Sequence, residues 1–316
     1  FIIGLAKKVL VADSIAPLAN PVFQVGAHPA LIEAWIGALA YTMQLYFDFS
    51  GYSDMAIGLS RMFGVRLPLN FNSPYKAENI IDFWRRWHMT LSRFLRDYLY
   101  IPLGGNRSGT FVRYRNLFIT MLLGGLWHGA GWTYVVWGGL HGAYLGLNHS
   151  WSALCEKMGW YGRESLAGKV IARSITFISV VIAWVFFISP DLVTAIDVLS
   201  GMTGSHGISL PVWTKTELGW LEQTRVGVKF EGIPYIDFSS IGVPVLLIAM
   251  GIVWLAPNTQ EIMMDVEPCL EPLMPGKSLL SIKWKLSISW LLFISFGFLL
   301  CVLNMNRVSE FLYFQF

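Results

Sequence analysis

Residues 170–188 carry one charged side chain, Arg173, in a run of Val, Ile, Phe, Ala and Trp that stops at Ser189-Pro190-Asp191. At about 1.5 Å per residue, a helix of this length crosses the roughly 30 Å hydrocarbon core of a bilayer. Further apolar runs occupy 29–47, 241–255 and 286–303, with shorter ones at 117–127 and 132–147. In lipid, backbone polar groups have to be satisfied inside each segment, which leaves the helix as the available form for such runs. Composition agrees: 14% of the 316 residues are charged and 54% are hydrophobic, against about 25% charged in an ordinary soluble domain. A soluble enzyme, a disordered chain and a nucleic-acid binder all fit this balance poorly. The expectation is an all-α, polytopic integral membrane protein.

Residues 1–316 read as one folding unit without repeats. The chain opens at Phe1 inside an apolar run, which predicts that it is a fragment preceded by further membrane helices. Residues 61–115 concentrate arginine, so this basic, helical region is expected on the cytoplasmic side or at its interface. A short amphipathic helix at 192–199 precedes a mixed, Gly-rich stretch at 201–237, read as an extramembrane loop. Cys155, Cys269 and Cys301 are far apart and give neither a disulfide framework nor a metal-ligand spacing. The 14 Trp and 12 Tyr suit either membrane interfaces or a gripped substrate.

The segment 82–98 places Phe83, Trp87, Leu91, Phe94, Leu95 and Tyr98 at three- and four-residue steps, which predicts one amphipathic helix. Arg85, Arg86, Arg93 and Arg96 surround the remainder. One reading is an anchor on anionic lipid; the other is a wall of Arg and aromatic groups around a phosphate-bearing thioester donor. The polar insert 48–54 also has two readings. It is either a capping turn between two helices, with Ser53 or Asp54 as cap, or a source of carboxylates (Asp48, Asp54) behind a buried histidine.

In the run 124–142, His128 ends an apolar stretch among glycines, which places an imidazole at membrane depth. Ionisable groups there are costly and face a protein interior or a wet cavity. A neutral core histidine and a reactive one are both compatible with this position. Gly129 and Gly131 are expected to break the helix, and the glycines permit close helix contact. His141 follows thirteen positions later, about 220° around an unbroken helix, so the two would not share a face. No HxxxH, HExxH or CxxC pairing occurs, and no metal site is expected. His28 reads as a pre-helix residue, and His149 and His206 as loop or interface residues.

Three runs together resemble the membrane-bound O-acyltransferases (MBOAT family), in the branch of the alginate O-acetyltransferases (AlgI-like proteins). They are YFDFSGYSDMAIGL at 46–59, FWRRWHMTLSRFLRDYLYIPLGGNR at 83–107 and RNLFITMLLGGLWHGAGWTYVVWGGLHG at 115–142, and the end of the chain at 311–316 also fits. The resemblance implies an MBOAT-type ring of tilted transmembrane helices, completed by the missing N-terminal helices, in a multi-pass protein of the bacterial inner membrane. It implies acetyl transfer from a cytoplasmic thioester, with acetyl-CoA the expected donor and no bound cofactor, for O-acetylation of an exported polysaccharide such as alginate. Membrane lipid, the acyl donor, the polysaccharide and a periplasmic acetyltransferase of the SGNH type are the partners implied; nucleic acid is not. His128 matches the family's catalytic histidine, and His88 a second position held by His or Asn in relatives. Trp84, Arg85, Trp87, Arg93, Asp97, Trp127 and Asp54 are the candidate substrate-binding residues. The rival expectation is a transporter or channel that passes the acyl group or polymer onward without doing the chemistry. A scaffold that has lost its activity ranks behind both.

Overall fold

The computed structural model describes residues 1–159, 165–223, 228–271, 278 and 280–305, so Arg307 and the run 311–316 lie outside the described residues. Three contiguous segments, Ile2–Ala6, the wider π-helical turn Lys7–Ala12, and Asp13–Ala19, form the first helix, α1. It packs along α2, Leu31–Met62, a helix of 32 residues. The polar insert therefore does not break the chain into two helices, and neither Ser53 nor Asp54 is a cap. The reason lies in α1: Lys8 Nζ meets Asp48 Oδ1 at 2.5 Å and Asp13 at 3.0 Å, while Lys7 Nζ donates to Asp54 at 2.7 Å. Each carboxylate is neutralised where it is buried, so the helix has no need to turn its polar residues outward.

The segment expected to be one helix is two. α3, Ile80–Trp84, is capped by Asn79, whose Oδ1 accepts the Asp82 N–H at 2.9 Å. α4, Met89–Leu95, continues into a π-helical turn at Arg96–Tyr100. Between them, residues 70–72 intercept the backbone: the Met89 N–H donates to the Asn70 carbonyl at 3.0 Å, and the Asn72 N–H to the Arg86 carbonyl at 3.0 Å. Phe83, Trp87, Leu91 and Leu95 are buried as the spacing predicts, but Phe94 and Tyr98 are exposed beyond the break.

α5, Thr110–His128, and α6, Trp132–Met158, form an antiparallel hairpin around Gly129-Ala130-Gly131. Its closeness depends on glycine. A Cβ on Gly125 would stand 2.2 Å from the Tyr134 carbonyl oxygen, and one on Gly138 would stand 2.4 Å from that of Met121. α7, Leu166–Ile188, is among the described residues the one helix both long and apolar enough to cross a membrane unaided. α8, Leu192–Met202, is capped by Asp191, and α9 and α10 span Gly242–Leu255 and Ile288–Asn304.

The stretch after α8 is less irregular than expected. It contains two three-residue strands, β1 (Ile208–Leu210) and β2 (Val228–Phe230), paired in parallel with Ile208 opposite Val228. On α10, Ile288, Leu291, Leu292, Phe293, Phe296 and Leu303 are all more than 60% exposed, and Cys301 is its buried residue. Water would penalise an apolar surface of this extent, whereas lipid does not.

Candidate active site

The break before α4 sets His88. As the residue preceding the helix it has φ +39° and ψ +57°, in the left-handed region. A residue with a Cβ pays for that conformation, about 1 kcal/mol, and His and Asn are among the side chains that enter it most readily. A residue in this conformation interrupts the helix, so His88 leaves the face that a continuous helix would give it. Its ring meets Phe49 of α2 edge-on, with centroids 4.8 Å apart.

His128 is placed by another interruption, the glycine break that ends α5. It is buried and packed edge-on against Trp137 of α6 at 5.3 Å and Phe187 of α7 at 5.0 Å. His88 and His128, forty positions apart in the chain, line one cavity, together with Leu45, Phe49, Trp84, Trp87, Leu91, Trp137, Trp184 and Phe187. The free volume inside is about 10 Å³, close to what a single water needs. A larger cavity of about 420 Å³, between α6 and α7, is lined by neither histidine.

The walls are aromatic and interlocked. Trp87 stacks on Phe83 at 5.7 Å and leans on Trp184 at 5.0 Å, and Trp137 stacks on Trp184 at 5.7 Å. The polar atoms among these lining residues are the imidazole nitrogens of His88 and His128 and the indole N–H groups of the four tryptophans. Such a surface can take a proton from a hydroxyl or donate to a developing oxyanion.

Trp84 and Trp87 thus stand at the cavity with the two histidines. Trp127 touches His128 at 5.0 Å but is 57% exposed. The remaining candidates lie elsewhere. Arg85 is exposed, Arg93 pairs with Glu271, and Asp97 holds Arg96 on an exposed turn at 2.7 Å. Asp54 is occupied by Lys7, by the Thr259 hydroxyl at 2.6 Å and by the Gln260 amide at 2.8 Å. Asp48 is likewise tied to Lys8. These carboxylates fasten α2 to its neighbours.

Sequence reasoning set His141 on a different face from His128 and gave it no role at the site. Because the helix breaks at 129–131, Trp137 touches both His128 and, at 4.9 Å, His141; the GGLHG run that carries it was the available signal. Trp184 and Phe187 sit in the uniform run 170–188, which gave no sign that they reach a polar group.

Residues 27–189, which include both cavity histidines, match the model of the membrane-bound O-acyltransferase family. The chain belongs to that family. Among curated relatives, the peptidoglycan O-acetyltransferase of Helicobacter pylori is 48% identical over 235 residues, which is 74% of this chain and 44% of that protein. A protein named "Probable alginate O-acetylase AlgI" from Pseudomonas aeruginosa is 45% identical over 247 residues, 77% of this chain and 44% of the relative. The teichoic acid D-alanyltransferase of Bacillus subtilis is 32% identical over 157 residues, 48% of this chain and 40% of the relative. The chain therefore spans less than half the length of the curated relatives it matches. The likeness to the AlgI proteins and the mostly helical, lipid-facing structure agree with this membrane-bound family.

Proposed function

We propose that this MBOAT chain is the histidine-bearing part of an O-acyltransferase that moves acetyl from a cytoplasmic thioester, acetyl-CoA, toward the hydroxyls of an exported polysaccharide. What carries the reading is the meeting of His88 and His128 in one aromatic-walled cavity. In this reaction a neutral His128 takes the proton as the acceptor oxygen attacks the thioester carbonyl; the carbon–sulfur bond then breaks and the thiol leaves, protonated by the imidazolium. His88 donates a hydrogen bond to the oxyanion or orients the acceptor. The cavity has room for about one water, so the aromatic walls part when the donor enters.

The protein would sit in the bacterial inner membrane as a multi-pass ring of tilted helices, with the basic region 61–115 facing the cytoplasm and 201–237 outside the bilayer. A periplasmic acetyltransferase would complete the final transfer. The polymer is of the kind that the relatives' names specify, alginate or peptidoglycan. Trp84, Trp87 and Trp127 are the substrate-contacting residues that the geometry favours; Arg85, Arg93, Asp97 and Asp54 are proposed for the donor's approach and for support of the site.

His128→Ala in cells making the polymer tests the assignment. Acetylation is expected to fall by about 10²-fold or more at unchanged protein level. Undiminished acetylation would overturn it. Acetyl transfer by purified full-length protein separates an enzyme from a conduit.

A further inference from the structure

We infer that a divalent transition-metal ion of the zinc type binds at the opposite end of α2 from the arginine-rich region, held by His28, Asp197 and His206. One donor atom from each of the three lies within 4.8 Å of the other two. They come from separate parts of the chain: His28 from the loop before α2, Asp197 from α8, and His206 from the turn that follows α8. The cavity touches α2 at Leu45 and Phe49, so this cluster at the start of α2 lies roughly 20–25 Å along the helix from the cavity.

Two features distinguish the cluster from a chance meeting of polar side chains. The first is the prepared state of His206. Its Nδ1 lies 3.0 Å from the Pro29 carbonyl oxygen. A carbonyl can only accept, so Nδ1 carries the proton and Nε2 keeps a lone pair for a ligand. A backbone carbonyl holding the second ring nitrogen is the usual arrangement behind metal-bound histidine. The second is spacing. His28 Nδ1 stands 3.6 Å from Asp197 Oδ2, beyond good hydrogen-bond length. Two donors about 2.1 Å from a tetrahedral ion are roughly 3.4 Å apart.

The frame around the three is fixed independently of any ion. The Leu31 N–H donates to the Gly207 carbonyl at 3.1 Å, the Trp35 indole to the Met202 carbonyl at 3.0 Å, and the His28 N–H to the Tyr235 hydroxyl at 3.2 Å. Gly201 lets Pro29 approach so closely that a Cβ would stand 2.2 Å from its carbonyl oxygen. His28 is the most exposed of the three. Two imidazoles and one carboxylate suit Zn²⁺ with a water in the fourth position. The ion would fasten the entry of α2 to the end of α8.

The test uses purified full-length protein, stripped with a chelator and titrated with ZnCl₂, read by calorimetry and by thermal unfolding. One equivalent of Zn²⁺ should bind and raise the Tm, and Co²⁺ should give the visible bands of a tetrahedral site. His206→Ala, Asp197→Asn and His28→Ala should each weaken binding by about tenfold or more. His28→Ala and Asp197→Asn change exposed or isosteric groups and so keep the fold. Equal stoichiometry and an equal Tm rise in wild type and variants would overturn the site, as would no binding by the wild type. Neither readout depends on acetyl transfer.

Discussion

The indole Nε1 of Trp84 donates a hydrogen bond to Nδ1 of His141 at 3.2 Å, joining the short helix α3 to the middle of α6. His141 is fully buried, lies parallel to Phe83 at 6.1 Å, and meets Trp137 edge-on at 4.9 Å. Trp137 in turn meets His128. A continuous row of rings therefore runs from the Trp84 wall of the cavity to the proposed base. Because Nδ1 accepts, the proton of a neutral His141 is on Nε2.

His141→Ala would remove both the indole's acceptor and a buried ring. The expected loss of stability is about 2–4 kcal/mol, with Trp84 free to swing into the cavity. Trp84→Phe, which keeps a ring but deletes the donor, should cost about 1 kcal/mol. Thermal unfolding in detergent measures both. If His141→Ala unfolds at the wild-type temperature, the row of rings is not structural support for the site.

His88 answers to two demands at once, a left-handed backbone and a polar atom at the cavity. Asn meets both, since it enters that region readily and carries an N–H donor. His88→Asn should therefore retain a measurable share of acetylation, while His88→Ala should lose about 10²-fold. Equal loss in the two variants, at equal protein level, would make His88 a proton carrier and remove its assignment as a hydrogen-bond donor.

The hairpin of α5 and α6 gives a paired prediction on adjacent glycines. Gly138→Ala would drive its methyl to 2.4 Å from the Met121 carbonyl oxygen, whereas at Gly139 the nearest atom to a new Cβ is 3.6 Å away, on the Leu122 side chain. Gly138→Ala should destabilise by about 1–3 kcal/mol through forced separation of the helices and displace His128 from Trp137. Gly139→Ala should be nearly silent. Reversal of that order, read as Tm and as acetylation in cells, would show that the hairpin does not depend on this contact.

Features fixed by residues near one another in the chain were legible in the sequence. The run 170–188 anticipated α7, and Gly129 and Gly131 marked the break that places His128. The strain at His88 was not legible, because its cause is the capture of backbone groups at 86–90 by Asn70 and Asn72. The continuity of α2 through Asp48 and Asp54 was also hidden, since the neutralising cations are Lys7 and Lys8, forty or more residues away. Arginine spacing suggested a donor-binding wall, yet charge patterning alone does not say which arginine already has a partner. Arg93 has one in Glu271.

That last pair gives a pH dependence. Glu271 accepts from the Leu69 N–H at 2.8 Å and from the Arg93 guanidinium, tying the chain after α9 to the basic region. Burial pushes its carboxyl up, but the Leu69 N–H and Arg93 outweigh that and hold it below its ordinary value. A carboxylate lowered in the folded state stabilises fully above its unfolded value of about 4.3, and that contribution disappears as pH falls through the lower folded value. At pH 7, Glu271→Gln should cost about 1 kcal/mol, since the pair is partly exposed. Below about pH 4 the wild type should lose this advantage and its melting temperature should converge on that of the variant. Parallel melting curves from pH 7 to pH 3 would show that the carboxylate's charge contributes nothing to the tie, leaving the Leu69 hydrogen bond, which glutamine can also accept, to hold the segment.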